Sequence, residues 1–260
     1  NNIEMLMKKF FVMTRGRTGS TAIVDVLNKS NNVCAAQELF LKFEFEKKDY
    51  KKYLIPPYEL WKNTGNVYSV LLRKISNEAV NIEKYLNHAE KIMAENSVNA
   101  FCFKLLSHNF DEIPALKKQL LKSSFKTVYL TRNVPRQVIS GMVAKLRGIY
   151  NMHEREGYSD NASYVIDVDE FKSLVKWETK AVANDIAMLE SSGFEFIQVR
   201  YEDFVHNPDA FFANIFSFIN IPQEILPDSS FSIMIKDLSK VVKNYDEVYS
   251  CVDKLGLELL

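Results

Sequence analysis

The hydrophobic positions of this chain fall into short runs separated by polar, turn-forming residues. Residues 9–13 (KFFVM) make one run, 100–106 (AFCFKLL) a second, 127–130 (TVYL) a third and 194–199 (FEFIQV) a fourth. Such short aromatic and β-branched runs, bounded by turn residues, predict buried strands. Helices are expected at 21–29, from the TRN at 131–133 to about residue 147, and at 208–219, which Pro208 opens. Short apolar strands alternating with helices predict an α/β fold, a three-layer parallel sheet flanked by helices. In that architecture ligands gather at the carboxyl ends of the strands. TRGR, KLLSH, TRN and RYED all fall at such ends, so one site can draw on all four.

Two stretches break the alternation. Residues 42–95 are polar and Tyr-rich, with a helical second half, and 147–169 (RGIYNMHEREGYSDNASYVIDVD) has weak periodicity and many turn formers. Both read either as surface elaboration or as a lid and acceptor pocket on one domain spanning 1–260. Tyr50, Tyr53, Tyr58, Trp61 and Tyr68 offer stacking faces there, or simply packing.

Composition narrows the partners. The chain has 260 residues, 47% hydrophobic and 25% charged, with a formal charge of +0. No global field favours nucleic acid or an anionic membrane, so any anion site must be local. Cys34, Cys102 and Cys251 are an odd set without metal spacing, which predicts buried thiols in a reducing compartment and no metal centre. No apolar run reaches the ~18 residues of a membrane span, and the first residues lack a signal-peptide layout. A cytoplasmic location is expected. The chain begins with Asn rather than Met, which leaves an upstream segment open.

The candidate chemistry starts at Thr14. TRGRTGST leaves a strand and enters a helix. Unpaired N–H groups and the helix dipole bind anions at such a place. Gly16 and Gly19 allow a tight turn. Thr18, Ser20 and Thr21 carry hydroxyls, and Arg17 carries a bidentate cation. The Walker signature is absent, because the hydroxyls follow Gly19 rather than Lys. That disfavours Mg²⁺–triphosphate chemistry. A second loop, TRNVPRQVIS, puts Arg132 at a strand end and Ser140 eight residues on, inside the next helix. The two side chains can grip one phosphate from two sides.

The ordered pair of loops resembles the nucleotide-binding elements of the sulfotransferase family, closest in style to bacterial carbohydrate sulfotransferases. Two later stretches resemble it too. VRYEDFVHNPDAFFANIFSFINIP, at 199–222, is similar to the family's YEDL segment, and KDLSKVVKNYDEV, at 236–248, to its C-terminal segment. Pro135 falls one place later than in the family's RNP, while the Arg-to-Ser spacing is kept.

The resemblance implies the P-loop NTPase-like sulfotransferase fold. It also implies transfer of a sulfuryl group from 3′-phosphoadenosine 5′-phosphosulfate (PAPS) to an acceptor hydroxyl, without metal, leaving adenosine 3′,5′-bisphosphate (PAP). The implied acceptor is a carbohydrate or glycolipid. The first loop would hold the 5′-phosphosulfate; Arg132 and Ser140 would hold the 3′-phosphate. Lys240 and Lys243 would close from the C-terminal segment, and Arg15 would be a peripheral anion contact or exposed. Two residues are candidates for the base that takes the hydroxyl proton. Glu38, in AAQELF, matches the QE segment of the bacterial sugar-modifying members. His108, in FKLLSHNF, matches the K-x-H of the cytosolic members more loosely, because Lys104 and His108 are four apart. Lys104 is expected to face the sulfuryl group. Two other readings stay open: a P-loop-type kinase, and a nucleotide-binding protein of this fold without catalysis.

Overall fold

The computed structural model describes residues 7–41, 54–96, 98–148, 162–230 and 237–259. A five-stranded sheet in the order β2-β3-β1-β4-β5 forms its centre: β1 (Lys8–Thr14), β2 (Val33–Glu38), β3 (Ala100–Leu106), β4 (Lys126–Thr131) and β5 (Phe196–Arg200). Every pairing is parallel. The four strands expected from the apolar runs are all present, and the α/β, three-layer expectation holds. β2 lies beyond the sequence reading. Its sequence, VCAAQE, is poor in β-branched and aromatic residues, and pairing with β3 decides its conformation.

β1 is buried from Phe10 to Thr14, as befits the middle strand of a parallel sheet covered on both faces. Its side chains alternate. Phe11 and Met13 pack with Tyr85, Leu86 and Leu116 on one face; Phe10 and Val12 pack with Ile23, Leu27 and Ile215 on the other. The first face is covered by α2 (Tyr58–Asn63), α4 (Glu78–Glu95), α6 (Pro114–Lys122) and part of α8 (Val168–Ser192). The second is covered by α1 (Ser20–Leu27) and α10 (Pro208–Ile219). A third cluster joins α7 (Val134–Arg147) and α8 to α11 (Leu238–Val241) and α12 (Tyr245–Lys254). Among the described residues there are three further helices, α3 (Val67–Ile75), α5 (Asn109–Glu112) and α9 (Tyr201–His206).

Local chemistry sets the helix boundaries near the site. Asn133 caps α7 by accepting the Arg136 N–H at 3.1 Å, and Pro135 sits in its first turn, where no intrahelical donor is needed. Asp167 caps α8 through the Glu170 N–H at 2.9 Å. α8 also lies beyond the sequence reading. Its inward stripe runs Phe171, Val175, Glu178, Leu189, and a carboxylate in the stripe masks the apolar period. Among the described residues no helix is long and apolar enough to cross a membrane. Of the stretch at 147–169, residues 149–161 lie outside the described set, as do 42–53 of the other stretch.

Candidate functional site

The first loop leaves the carboxyl end of β1, the middle of the sheet. From there the chain passes to β2 on one side, while β4 and β5 lie on the other, so the loop stands at the reversal of strand order. That reversal is the usual crevice of an open α/β sheet.

The loop turns through two left-handed residues, Arg17 at φ 65° and Gly19 at φ 82°. Only Gly fits at the second. A Cβ there would meet the Tyr201 ring at 2.1 Å. Tyr201, the first residue of α9, therefore packs directly on the turn that opens α1. The same ring carries the Arg132 guanidinium at 4.6 Å, a cation–π contact. Arg132, just past β4, donates from Nη1 to the Arg17 carbonyl at 2.9 Å. Its Nε is buried without a hydrogen-bond partner. Burial pulls its pKa below the ordinary guanidinium value, with Tyr201 and Glu202 acting in the opposite direction. Buried donors are nearly always satisfied, so an orphaned guanidinium N–H marks a place for an acceptor.

The two loops touch through α7 as well. Arg17 Nη2 donates to Ser140 Oγ at 3.4 Å, and the Arg17 stem passes Gly141, where a Cβ would lie 3.7 Å from its Cγ. One turn earlier, Gln137 Nε2 donates to the Gly16 carbonyl at 2.7 Å. Arg17, Gly16, Arg132 and Ser140 are thus brought together, as the two-loop reading requires. On the other side, Glu202 accepts the Asn133 N–H at 2.9 Å and closes the start of α7.

The hydroxyls divide. Thr18, 1% exposed, bonds inward to the Thr14 hydroxyl and to the Arg15 carbonyl. Ser20 is buried at the start of α1. Thr21 looks toward β3, where its Oγ1 accepts from Lys104 Nζ at 3.4 Å. Lys104, 8% exposed, also forms a close ion pair with Glu38.

That ion pair depends on an irregularity. Ala36 opposes Phe103 and Glu38 opposes Lys104, so Gln37 is an extra residue on β2. Ala36 packs on the α4 side of the sheet, and strict alternation would send Glu38 there too. The bulge turns it to the α1 side instead, beside Lys104 and Thr21. Bulges re-aim side chains in this way. The Gln37 amide donates to the Thr21 carbonyl at 3.2 Å and holds the turn. Glu38, Lys104 and Thr21 form one chain of contacts leading to the first loop.

His108 stands apart from that chain. It opens α5, its side chain is 55% exposed, and its partner is Glu112, 4.0 Å away. Lys240 is exposed and 3.7 Å from Asp237, and Lys243 is exposed in the turn after α11. Their segment packs on α7 and α8.

Arg15 is half-buried and engaged by protein groups. Nε donates to Glu178 at 2.7 Å, and Nη1 donates to Ser107 at 3.0 Å and Asp185 at 3.3 Å. Its guanidinium also lies 4.9 Å from the centre of the Trp177 ring. Burial lowers its pKa, but Glu178 and Asp185 outweigh that and raise it. Glu178, Asp185 and Trp177 come from the helix that the sequence reading lacked. Tyr201 and Gln137 were also missed as site residues; both lie in the quoted motifs, but nothing in their pattern marks them. Among the named aromatics, Tyr58 and Trp61 belong to the core, Tyr68 is 72% exposed, and Tyr50 and Tyr53 lie outside the described residues.

Residues 9–225 match the sulfotransferase family. The chain belongs to that family. The expected family is therefore borne out, and the kinase alternative is not favoured. Among solved structures, the chain is similar to the sulfotransferase domain from the curacin biosynthetic pathway, at 17% identity and a TM-score of 0.51, over 98% of this chain and 99% of that one. It is likewise similar to the sulfotransferase domain of the Synechococcus PCC 7002 olefin synthase, at 14% identity and a TM-score of 0.50, over 97% and 95%. At these identities the likeness is one of fold. No curated protein matches the sequence closely enough to count as a relative.

Proposed function

We propose that this sulfotransferase uses PAPS as donor and transfers its sulfuryl group to a hydroxyl of a carbohydrate or glycolipid. One observation carries the donor assignment. Arg132 keeps a buried, unpartnered Nε while its Nη1 is tied to the backbone of the first loop, and Ser140 stands against Arg17. An acceptor-rich group is needed at the junction of the two loops, and a nucleotide phosphate supplies one. Arg132 and Ser140 would hold the 3′-phosphate; Gly16, Arg17, Gly19 and the N-terminus of α1 would hold the 5′-phosphosulfate. Lys240 and Lys243, exposed in this structure, would close over the nucleotide from the C-terminal segment.

In the reaction the acceptor oxygen forms a bond to sulfur as the bond from sulfur to the 5′-phosphate oxygen breaks. The electron pair stays on the phosphate, where Arg17 and the loop N–H groups stabilise it. Glu38 takes the acceptor proton. It is favoured over His108 because the bulge in β2 brings its carboxylate into contact with Lys104, and Lys104 reaches Thr21 of α1. Lys104 holds Glu38 in place and offers its ammonium to the group in flight. The sugar preference rests on the QE segment alone. A reducing, cytoplasmic setting suits three free thiols.

Calorimetric titration with PAP, beside 5′-AMP and Mg·ATP, tests the donor site. PAP is expected to bind tightest, and Arg132→Ala is expected to lose the preference for PAP over 5′-AMP. Preference for Mg·ATP, or indifference to the 3′-phosphate, would overturn the reading. Sulfation assays over sugar, glycolipid and phenolic acceptors then test the acceptor class.

A further inference from the structure

Glu178 occupies an unusual place. It lies on the inward stripe of α8, in line with Phe171, Val175 and Leu189, and is 7% exposed. An apolar residue is the ordinary occupant of such a position. A buried ion pair is weak evidence for stability, because desolvating both charges offsets most of their attraction. The position of the charge therefore calls for another explanation.

Its contacts supply one. Glu178 Oε1 accepts from Arg15 Nε at 2.7 Å and from Gln137 Nε2 at 2.8 Å. The same Gln137 nitrogen donates to the Gly16 carbonyl at 2.7 Å. Arg15 and Gly16 are consecutive residues of the first loop. Gln137 lies one turn before Ser140 on α7. One carboxylate thus joins the loop after β1 to the helix that carries Ser140. Two turns further along α8, Asp185 takes the other side of Arg15 at 3.3 Å and the Tyr129 hydroxyl at 3.1 Å. Arg15 is held by Glu178 at Nε and by Ser107 and Asp185 at Nη1.

We propose that Glu178 is a positioning residue for the donor site. Through Arg15 and Gln137 it braces the first loop against α7, so that the loop N–H groups present a preformed cradle for the nucleotide's 5′-phosphate end. This inference rests on the PAP-binding reading above. It assigns Glu178 no contact with the nucleotide. Preorganisation of this kind acts on affinity, because a loop that must be ordered on binding binds more weakly.

The test measures PAP and 5′-AMP binding to Glu178→Ala, Glu178→Gln, Gln137→Ala and the Glu178→Ala/Gln137→Ala double variant, well below the melting temperature of each. Arg132→Ala serves as the control. Glu178→Ala should weaken both nucleotides by roughly tenfold to a hundredfold, the range for losing hydrogen bonds to a charged group. The ratio of PAP to 5′-AMP affinity should stay near that of the wild type, because the effect falls on the first loop. Glu178→Gln should lie between. The loss in the double variant should be smaller than the product of the two single losses, since Glu178 acts in part through Gln137. With PAPS saturating, kcat should change little while KM for PAPS rises. A merely structural role would lower the melting temperature and leave these affinities alone.

Several results would overturn the proposal. If Glu178→Ala and Gln137→Ala bind PAP within twofold of wild type while Arg132→Ala loses binding, Glu178 has no positioning role and the donor site stands. Loss of the PAP to 5′-AMP ratio in Glu178→Ala would put its action at the 3′-phosphate instead. If the wild type binds no PAP, the donor reading and this inference fail together. Should Glu178→Ala not fold, Glu178→Gln and Gln137→Ala carry the same test.

Discussion

The two-loop junction and the helical insertion between β2 and β3 are built in opposite ways. At the junction, Arg15, Gly16, Arg17, Arg132, Gln137 and Ser140 are joined by hydrogen bonds that reach from β1 to α7 and α8. In the insertion, α2 and α4 bury Tyr58, Trp61 and Tyr85, but α3 buries nothing. It exposes Val67, Tyr68, Leu71 and Ile75. The difference is instructive. An anion must be met by donors held in place, because each loses its water on binding. The braced region holds its donors through protein hydrogen bonds, while in the open region Tyr58 and Trp61 pack in the core and Tyr68 lies exposed.

The contrast can be broken at its chemistry first. Glu38→Gln keeps the shape of the side chain but removes the carboxylate proposed as the base. It should lower kcat by roughly 10²–10⁴-fold, the usual range for a lost general base, with PAP affinity near that of the wild type. His108→Gln should change kcat by less than about twofold, since a surface side chain away from the site has little to lose. Steady-state kinetics with saturating PAPS decides between them, and the reversed pattern would transfer the role to His108.

Next in size is Arg132→Ala. It deletes a charged donor and leaves the Arg17 carbonyl without its partner. PAP affinity should fall about a hundredfold, from charge-assisted hydrogen bonds worth ~1.5–3 kcal/mol each, while 5′-AMP affinity falls less. Titration calorimetry reads both.

Gly19→Ala probes the same junction through stability. The added methyl meets Tyr201 at 2.1 Å, and φ is 82°. Overpacking costs ~1–3 kcal/mol and a left-handed non-Gly residue ~1–2 kcal/mol. The melting temperature should drop by roughly 5–10 °C. Differential scanning calorimetry checks it, and no drop would mean that Tyr201 does not pack on the turn.

The smallest effects sharpen the other side of the comparison. Leu71→Ser, on the exposed face of α3, should leave both PAP affinity and melting temperature essentially unchanged, within about 0.5 kcal/mol. Lys240→Ala should weaken PAP by no more than about twofold to threefold if the exposed ammonium contributes only through solvent. A larger loss would show that the C-terminal segment closes on the nucleotide.

What the sequence by itself determined is local. The apolar runs marked four of the five strands: β1, β3 and β4 are buried along most of their length, and the half-exposed edge strand β5 still carries an apolar run. Gly19, Arg132 and Ser140 stood out by residue type and spacing, and the fold brings their two loops together. The tertiary structure decided the rest. β2 has weak intrinsic preference and exists through its pairing with β3. The extra residue at Gln37 turns Glu38 to the side of Lys104, and alternation read along the chain cannot show that. Arg15 and Arg17 look alike in TRGRTGST. They part company only because α8, far away in sequence, brings Glu178 and Asp185 to one of them and not to the other. A charge acquires its role from the charges that packing sets beside it, and that packing is long-range.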